Sequence, residues 1–590
     1  MLRNISYRIL SLASAAVLLA GLIGCERDIL SDDKRQDTPQ LMNVNAQLSI
    51  TLPYVDETAG TDAENRIDIL DVFFVPIDEN TGQEIYNIGH DSVLNITIGG
   101  HTGETIQGGM HYEQDADLKP GRYHVYLAAN LNVFQREHLR AKGPNADYTS
   151  SGSTNDWGNY AQVVYDVARY DSKGAAIDDN TGLLNLVMFG IGKDANANES
   201  EIFNVAAPEN GKIQVGITSE LTRVVAKIHL TSAVEEENGT QYIPLEGTLG
   251  YPNGTKDPQG WIRLDDLKYI VNTTNRKFYF QPQANEGGGE ARYKDPNFAV
   301  SDCISWTGTE WQDNAYVSRN FVYYSIERFR NEKHPNLLSA EAYEESRIPG
   351  QGSSDEYTKG AYCMENTLEY DETNLDKPFT GSESVIIPRA FATHLMIVAK
   401  FTPSHILATQ SEIDAFHKET GLIGRDQLSK PSSAIDAETH LIEVKFNTEE
   451  ESKRFLDFSL ERLGKLSDEE FPSEDGLYAT ETFFSNNSAD SYYSYGAMDT
   501  MISIGFPSED FKPFNHGWSY YYTFIDGNGT HTTNDAVSFT ESNIYRNHYY
   551  ILKLNSISTL GTVNHPSFIR VHTMTDKGWV DGGQGEGIAS

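Results

Sequence analysis

Between Ala46 and Leu52 the chain alternates. Ala46, Leu48, Ile50 and Leu52 are apolar, and Gln47, Ser49 and Thr51 between them are polar. Side chains of an extended backbone point to opposite faces in turn, so a period of two predicts a strand with one dry face and one wet. Asp56 to Asn65, with Gly60 inside it, predicts a loop; Ile67 to Val75 predicts a second strand, stopped by Pro76. Further strands are predicted at Ser92 to Ile98, Gly121 to Ala129 and Lys212 to Ile217. Short helices are expected at Val133 to Arg140 and near Tyr160. Turn signals such as Asp78 to Gly82 and Pro208 to Gly211 punctuate the run. Short strands at this spacing are the pattern of an all-β sandwich.

A second series opens at Leu221 to Leu230, so a domain boundary is expected near Ile217 to Leu221. It continues through Phe278 to Phe280, Phe321 to Tyr324, Thr393 to Phe401, the aromatic stretch Trp518 to Ile525, His548 to Leu554 and Phe568 to Met574. From Ser411 to Leu463 the pattern turns helical and charged, with breaks at Gly421 and Gly424, which predicts a partly helical insertion. The end, Asp581 to Gly587, is Gly-rich and polar. No short-period repeat is present, which excludes a solenoid or a propeller.

The first 25 residues follow another rule. Arg3 and Arg8 precede a mostly apolar run from Ile9 to Ile23, which ends in Leu22-Ile23-Gly24-Cys25. Basic, then apolar, then small residues is the order of an export signal. A Cys beside the small residues offers a thiolate for lipid attachment, so the ending looks like a bacterial lipoprotein lipobox, cut after Gly24 and acylated on Cys25. The alternative is a plain signal peptide with a chance Cys. Acyl chains on Cys25 would hold the chain to a membrane. Glu26 to Gln40 is charged and polar, and is expected to tether lipid to fold.

Composition narrows the partners. At 590 residues there is room for about two to four domains. Forty-six basic against 85 acidic residues leave a formal net charge of -39. Such a surface repels phosphate backbones, so nucleic acid is not expected as a partner. Abundant Tyr (32) and Phe (26) favour strands. With Cys25 lipidated, Cys303 and Cys363 remain, either paired in an oxidising compartment or left as two buried thiols, the reading favoured for a core of this size.

No chemistry of catalysis stands out. Gly-x-Ser-x-Gly, a Walker loop and His-Glu-x-x-His are absent, as is any Cys/His spacing for zinc. Pairs such as Asp265/Asp266 mean little in so acidic a chain. Asp526 to Asp535 is oxygen-rich but lacks the sixth-position Gly and closing Glu of a calcium loop, so it reads as a turn. His394 on a strand reads as packed or solvated. Neither an enzyme nor a cofactor or metal site is expected. An anchor, a tether, a separable first strand and β-sandwiches suggest a surface protein used structurally or in adhesion.

Several stretches carry a resemblance. Leu221-Thr222-Arg223-Val224-Val225-Ala226-Lys227-Ile228 is similar to the strand that opens the second domain of fimbrillins, the pilin lipoproteins of type V pili. Tyr362-Cys363-Met364-Glu365-Asn366-Thr367 and Ala392 to Phe401 resemble paired segments of the members that build minor fimbriae. Ile544-Tyr545-Arg546-Asn547-His548-Tyr549-Tyr550 to Leu554 resembles the penultimate strand of that family, with Gly561 to Pro566 and Trp579-Val580 continuing the likeness. Ala46 to Leu52 and Glu64 to Phe74 resemble its first two strands.

The resemblance implies two tandem transthyretin-like β-sandwiches: a signal over 1–24, a tether over 25–43, an N-terminal domain over 44–219 and a C-terminal domain with insertions over 220–590. It also implies a mechanism. An outer-membrane lipoprotein precursor loses its first strand to an arginine-specific protease, and the terminal strand of a neighbouring subunit fills the exposed groove. The product is a cell-surface fimbrium made of copies of the chain and other fimbrial subunits, meeting host or bacterial surface ligands. On this pattern Ala46, Leu48, Ile50 and Leu52 form the removable strand, and Phe568, Val571, Met574 and Trp579 mark the candidate donor. Two departures stand out. No Arg lies between Leu41 and Asn65, so Arg66 is the first choice of cut; Arg35 is the second, and cutting there or at Arg27 would keep the strand. The tail after Val580 would make a poor donor. An anchoring or accessory subunit that keeps its lipid is therefore an alternative, and a surface glycan-binding lipoprotein using Trp261, Trp311 and Trp518 is another.

Overall fold

In the computed structural model the structure describes residues 44–53, 65–86, 93–106, 109–146, 148–149, 186–206, 211–250, 259–282, 321–322, 337–345, 360–367, 393–431, 438–463, 481–486, 491–525, 544–561, 567–568 and 572–576. The chain is mostly β, in several sheets. The first strand, β1, runs Val44–Pro53. It is followed by β2 (Ile69–Pro76), β3 (Leu94–Gly99), β4 (Gly109–Leu118), β5 (Gly121–Ala129), β6 (Met188–Ile191), β7 (Ile202–Val205) and β8 (Ile213–Thr218). One sheet is ordered Glu104–Ile106, β4, β1, β8, Lys193–Asp194. The other is ordered Thr222–Arg223, β6, β5, β2, β3, with β7 also on β5.

The two sheets face each other across one core. Leu48 and Ile50 meet Leu70, Val72 and Phe74 of β2 and Val125 and Leu127 of β5 there. The expected short helix is α1 (Val133–Lys142). Asn132 caps it: its Oδ1 accepts from Gln135 N–H at 2.9 Å, and Gln135 Oε1 accepts from Asn132 N–H at 2.8 Å, satisfying two donors that the first turn leaves open.

The second half is built alike. Its strands are β9 (Val225–Ser232), β10 (Gly260–Ile262), β11 (Lys268–Asn272), β12 (Ala361–Met364), β13 (His394–Pro403), β14 (Trp518–Phe524), β15 (Tyr549–Leu554) and β16 (His572–Asp576). One sheet runs Glu341–Ala342, β9, β15, β16, with β12 also on β9. The other runs Leu338–Ser339, β11, β13, β14, Ser567–Phe568, with β10 on β13. Their core joins Ile228 and Leu230 to Ile397, Ala399, Tyr550 and Leu552. A further apolar cluster draws on both halves, from Phe73, Tyr126 and Phe189 to Met396, Trp518 and Ile551.

The insertion is larger than its helical pattern indicates. Helices α2 (Gln410–Thr420) and α3 (Glu449–Leu463) lie where helices are expected. Between and beyond them, short strands from Leu428–Ser429 to Phe511–Asn515 form a six-stranded sheet with His405–Ala408, and α4 (Tyr495–Ser503) packs on it. Glu412 ties the helices together. It accepts from Ser459 Oγ at 2.5 Å, Ser494 Oγ at 2.9 Å and Gly496 N–H at 3.0 Å while also capping α2. A buried carboxylate is tolerated because it is this fully hydrogen-bonded.

Candidate functional site

The removable-strand residues share one seat. Strand β1 lies between two neighbours, antiparallel to β4 from Val44↔Leu118 to Pro53↔Gly109 and parallel to β8 from Ala46↔Ile213 to Thr51↔Thr218. Ala46, Leu48 and Ile50 are fully buried and Leu52 nearly so. The opposite face is polar. Gln214 Nε2 donates to Gln47 Oε1 at 2.8 Å, and Gln47 Nε2 donates to Glu113 at 3.4 Å. Burying Leu48, Ile50 and Leu52, with the small Ala46, is worth roughly 5–10 kcal/mol before entropic costs. Take β1 away and two rows of backbone N–H and C=O groups, on β4 and β8, face each other one strand's width apart, above an uncovered apolar floor. The sequence pattern hides strand β4 because Glu113, Asp115 and Asp117 fill its outer face and its inner face carries only Tyr112 and Leu118 as fully buried side chains.

Downstream of the seat, Arg66 is half-buried and held. Its Nε pairs with Asp68 Oδ1 at 2.6 Å, and its carbonyl accepts from Asn130 Nδ2 at 2.8 Å. Gly24, Cys25, Arg27 and Arg35 lie outside the described residues, as do 54–64.

The candidate donor is only partly described. Phe568 lies in Ser567–Phe568, which pairs parallel with β14. Met574 lies in β16, which pairs antiparallel with β15 through five residues, from Tyr549↔Asp576 to Lys553↔His572. Val571 and Trp579 lie outside the described residues. Strand β16 therefore closes the edge of its own chain's sheet.

The stretches that carry the resemblance meet at one junction. Asn547 sits at φ 56°, a left-handed conformation that Asn tolerates, and its Oδ1 accepts from Arg223 Nη1 at 3.0 Å. Arg223 also donates to Asn65 Oδ1. Arg546 grips Glu365 with two guanidinium nitrogens, Nε at 2.8 Å, and donates to the carbonyls of Phe280 and Tyr279 at 2.8 and 2.7 Å. Both charges are nearly fully buried, and this fork geometry with extra acceptors is what makes such burial tolerable. The only hint of these partnerships in the sequence is a charged residue inside an apolar strand.

Other candidates resolve simply. Cys363 is a free, buried thiol, and burial pushes its pKa up, away from thiolate chemistry; Cys303 lies outside the described residues. Buried His394 packs edge-on against Phe524. Among the described residues no group of three or more His, Cys, Asp and Glu is placed to hold a metal ion. A hollow of about 400 Å3 between the sandwich and the insertion is lined by Glu236, Tyr242, Trp261, His405, Lys445 and Asn447, among others. Trp311 and Asp526 to Asp535 lie outside the described residues.

Residues 512–581 match the family model described as major fimbrial subunit protein type IV, fimbrillin, C-terminal. The match spans β14, β15 and β16 and includes Arg546 and Asn547. No curated protein matches the chain by sequence. Among solved structures, the tip fimbrial protein Mfa3 from Porphyromonas gingivalis aligns at 10% identity, covering 90% of this chain and 98% of that one, with a TM-score of 0.29. A fimbrial assembly protein from Parabacteroides distasonis aligns at 16% identity over 43% of this chain and 74% of that one, TM-score 0.20. The fimbrial anchor protein Mfa2 from Porphyromonas gingivalis aligns at 9% identity over 43% and 65%, TM-score 0.19.

Proposed function

We propose, from a chain that carries a fimbrillin C-terminal region over residues 512–581, that this protein is a non-enzymatic structural subunit of a surface fimbrium used in adhesion. Residues 44–219 and 220–590 are its two β-sandwich domains. The precursor is exported and lipidated on Cys25 after cleavage behind Gly24, reaching the outer membrane. An arginine-specific protease then cuts after Arg66, and β1 leaves. A strand from a second copy, or from another fimbrial subunit, enters between β4 and β8.

The observation that carries this reading is the seat of β1. The strand is hydrogen-bonded on both sides yet sealed on one face only, so a single extended segment with apolar residues at every second position can replace it. This is strand addition: backbone bonds supply affinity and alternate pockets supply selectivity. The candidate donor is the stretch from Phe568 through Val571 and Met574 to Trp579.

The clamped Arg66 and the seated β16 favour a second reading, in which the chain keeps β1 and its lipid as an anchoring or accessory subunit. The test is mass spectrometry of the mature N-terminus on material sheared from intact cells, with an SDS gel of the same sample. A start at Ile67 and an SDS-resistant ladder are expected of a stalk subunit. Finding only lipidated Cys25, retained with the envelope, overturns the stalk and leaves the anchor.

A further inference from the structure

The backbone on both sides of the Arg66–Ile67 bond is fastened at several points. Asn130 does most of it. Its Nδ2 donates to Arg66 O at 2.8 Å and to Leu186 O at 2.9 Å, and its Oδ1 accepts from Asp68 N–H at 2.9 Å. Asn130 can do this because it sits at φ 62°, which turns its side chain back across the strand entry, while its own N–H donates to Ile69 O at 2.9 Å. From the other side, Gly100 N–H donates to Asp68 O at 2.7 Å. The approach is so close that a Cβ on Gly100 would lie 1.8 Å from Ile67 O, so no other residue fits there without moving the chain. The Arg66 side chain is turned onto Asp68. Asn65, one residue before, accepts from Arg223, which also donates to Asn547 in the second half of the chain.

A protease needs its substrate extended in its cleft, with the arginine side chain in a pocket and the flanking backbone free to pair with the enzyme. Here the carbonyl of the scissile bond, the N–H and C=O of Asp68 and the arginine head are all already engaged. We propose that Asn130 is a latch on the Arg66–Ile67 bond, and that cleavage there proceeds only through local opening of residues 65–68. Because Asn65 hangs on Arg223 and Arg223 on Asn547, the latch is held from the junction of the two halves. Removal of β1 is thereby coupled to whether the second half is docked. The proposal rests on Arg66 being the processing site. It makes Asn130 a positioning residue for a reaction carried out by another protein.

When opening is fast compared with cutting, the rate follows the population of the open form. Losing the two hydrogen bonds by which the Asn130 side chain holds Arg66 and Asp68 then raises that population by about ten- to hundredfold. The variant of choice is Asn130→Gly, because glycine is at ease at φ 62° and only the side chain is lost. Asn130→Asp is the second. It keeps the acceptor for Asp68 N–H and sets a carboxylate against the Arg66 carbonyl where a donor stood.

The full chain and a synthetic peptide of residues 60–72 are digested with endoproteinase Arg-C, and the appearance of the Ile67 N-terminus is followed by mass spectrometry, with thermal unfolding measured in parallel. The natural chain should be cut at Arg66 at least about a hundredfold more slowly than the peptide. Both variants should be cut at least about tenfold faster than the natural chain, at rates unrelated to any shift in Tm. Equal rates for natural chain and peptide, or for natural chain and both variants, overturn the latch. If the cut chain stays monomeric, the strand-exchange reading fails while the latch stands, so the two are separable.

Discussion

Strands β1 and β9 occupy the same place in the two halves of the molecule. Each opens its half, each is antiparallel to one neighbour (β4 or β12) and parallel to the strand near the end of its half (β8 or β15). Each alternates in sequence: Gln47, Ser49 and Thr51 interrupt the apolar residues of β1, and Lys227, His229 and Thr231 interrupt those of β9. Their surroundings differ. The polar positions of β1 meet water, whereas every residue of β9 is buried. Lys227 Nζ lies 4.8 Å from the centre of the Tyr549 ring, His229 Nε2 lies 3.2 Å from Glu341, and Thr231 Oγ1 donates to the Leu552 carbonyl at 3.0 Å. A strand covered on one face can be exchanged for another; a strand whose polar side is also enclosed by the protein is a fixture. On the strand-exchange reading, the same topology is a slot in one half and a keel in the other.

The largest expected effect concerns what holds the keel. Glu365→Ala leaves Arg546 charged and unpaired in the interior beside the end of β12, and should cost about 3–5 kcal/mol; chemical denaturation would measure it. A loss below about 1 kcal/mol would mean the junction is not what fixes β9. Next come matched truncations. Ile50→Ala and Ile228→Ala each remove a buried branched side chain worth about 2–5 kcal/mol. The comparison predicts different readouts. Ile228→Ala should lower the global unfolding transition, while Ile50→Ala should chiefly speed hydrogen exchange of amides in β1, β4 and β8. Uniform loss of protection in both variants would erase the distinction.

A smaller effect is predicted in trans. A peptide of residues 44–53 should rebind a chain cut at Arg66 and restore protection to the amides of β4 and β8; a peptide with Leu48→Asp and Ile50→Asp should not.

The smallest effect belongs to Glu84, at the apolar junction of the halves. Burial pushes its pKa up, but hydrogen bonds from His124, Tyr126 and Tyr86 outweigh that and hold it below the usual carboxylate range. A depressed folded pKa gives stability that is present above the unfolded value of about 4.3 and lost as pH falls through the folded value. Glu84→Gln should flatten the fall of Tm below about pH 4.3, and an unchanged slope would show the carboxylate is not coupled to folding.

How much of this could be read from the sequence follows the same contrast. Strand β1 was legible because water on one face enforces a clean alternation. Strand β9 was legible as a strand, but the burial of Lys227 and His229 was not, since nothing local distinguishes a polar residue facing solvent from one facing Tyr549. Strand β4 was hidden by its acidic outer face. The insertion showed its helices through their period but not the strands between and after them, which are two to six residues long. The clasps at Arg223–Asn547 and Arg546–Glu365 join residues 324 and 181 positions apart, and only the folded chain brings them together.

The slot also has a handed character. One of its lips is antiparallel to β1 and the other parallel, so an incoming strand keeps the native pairing with both only when it runs in the direction of β1. On the strand-exchange reading the slot and the donated strand are different surfaces of the chain, so the contact between donor and acceptor is not self-complementary. Such a contact is heterologous, and unless the rotation it imposes closes a ring, it repeats indefinitely. A polymer built on it has two unlike ends, one presenting an open slot and the other an unspent strand, and it can lengthen without ever reversing.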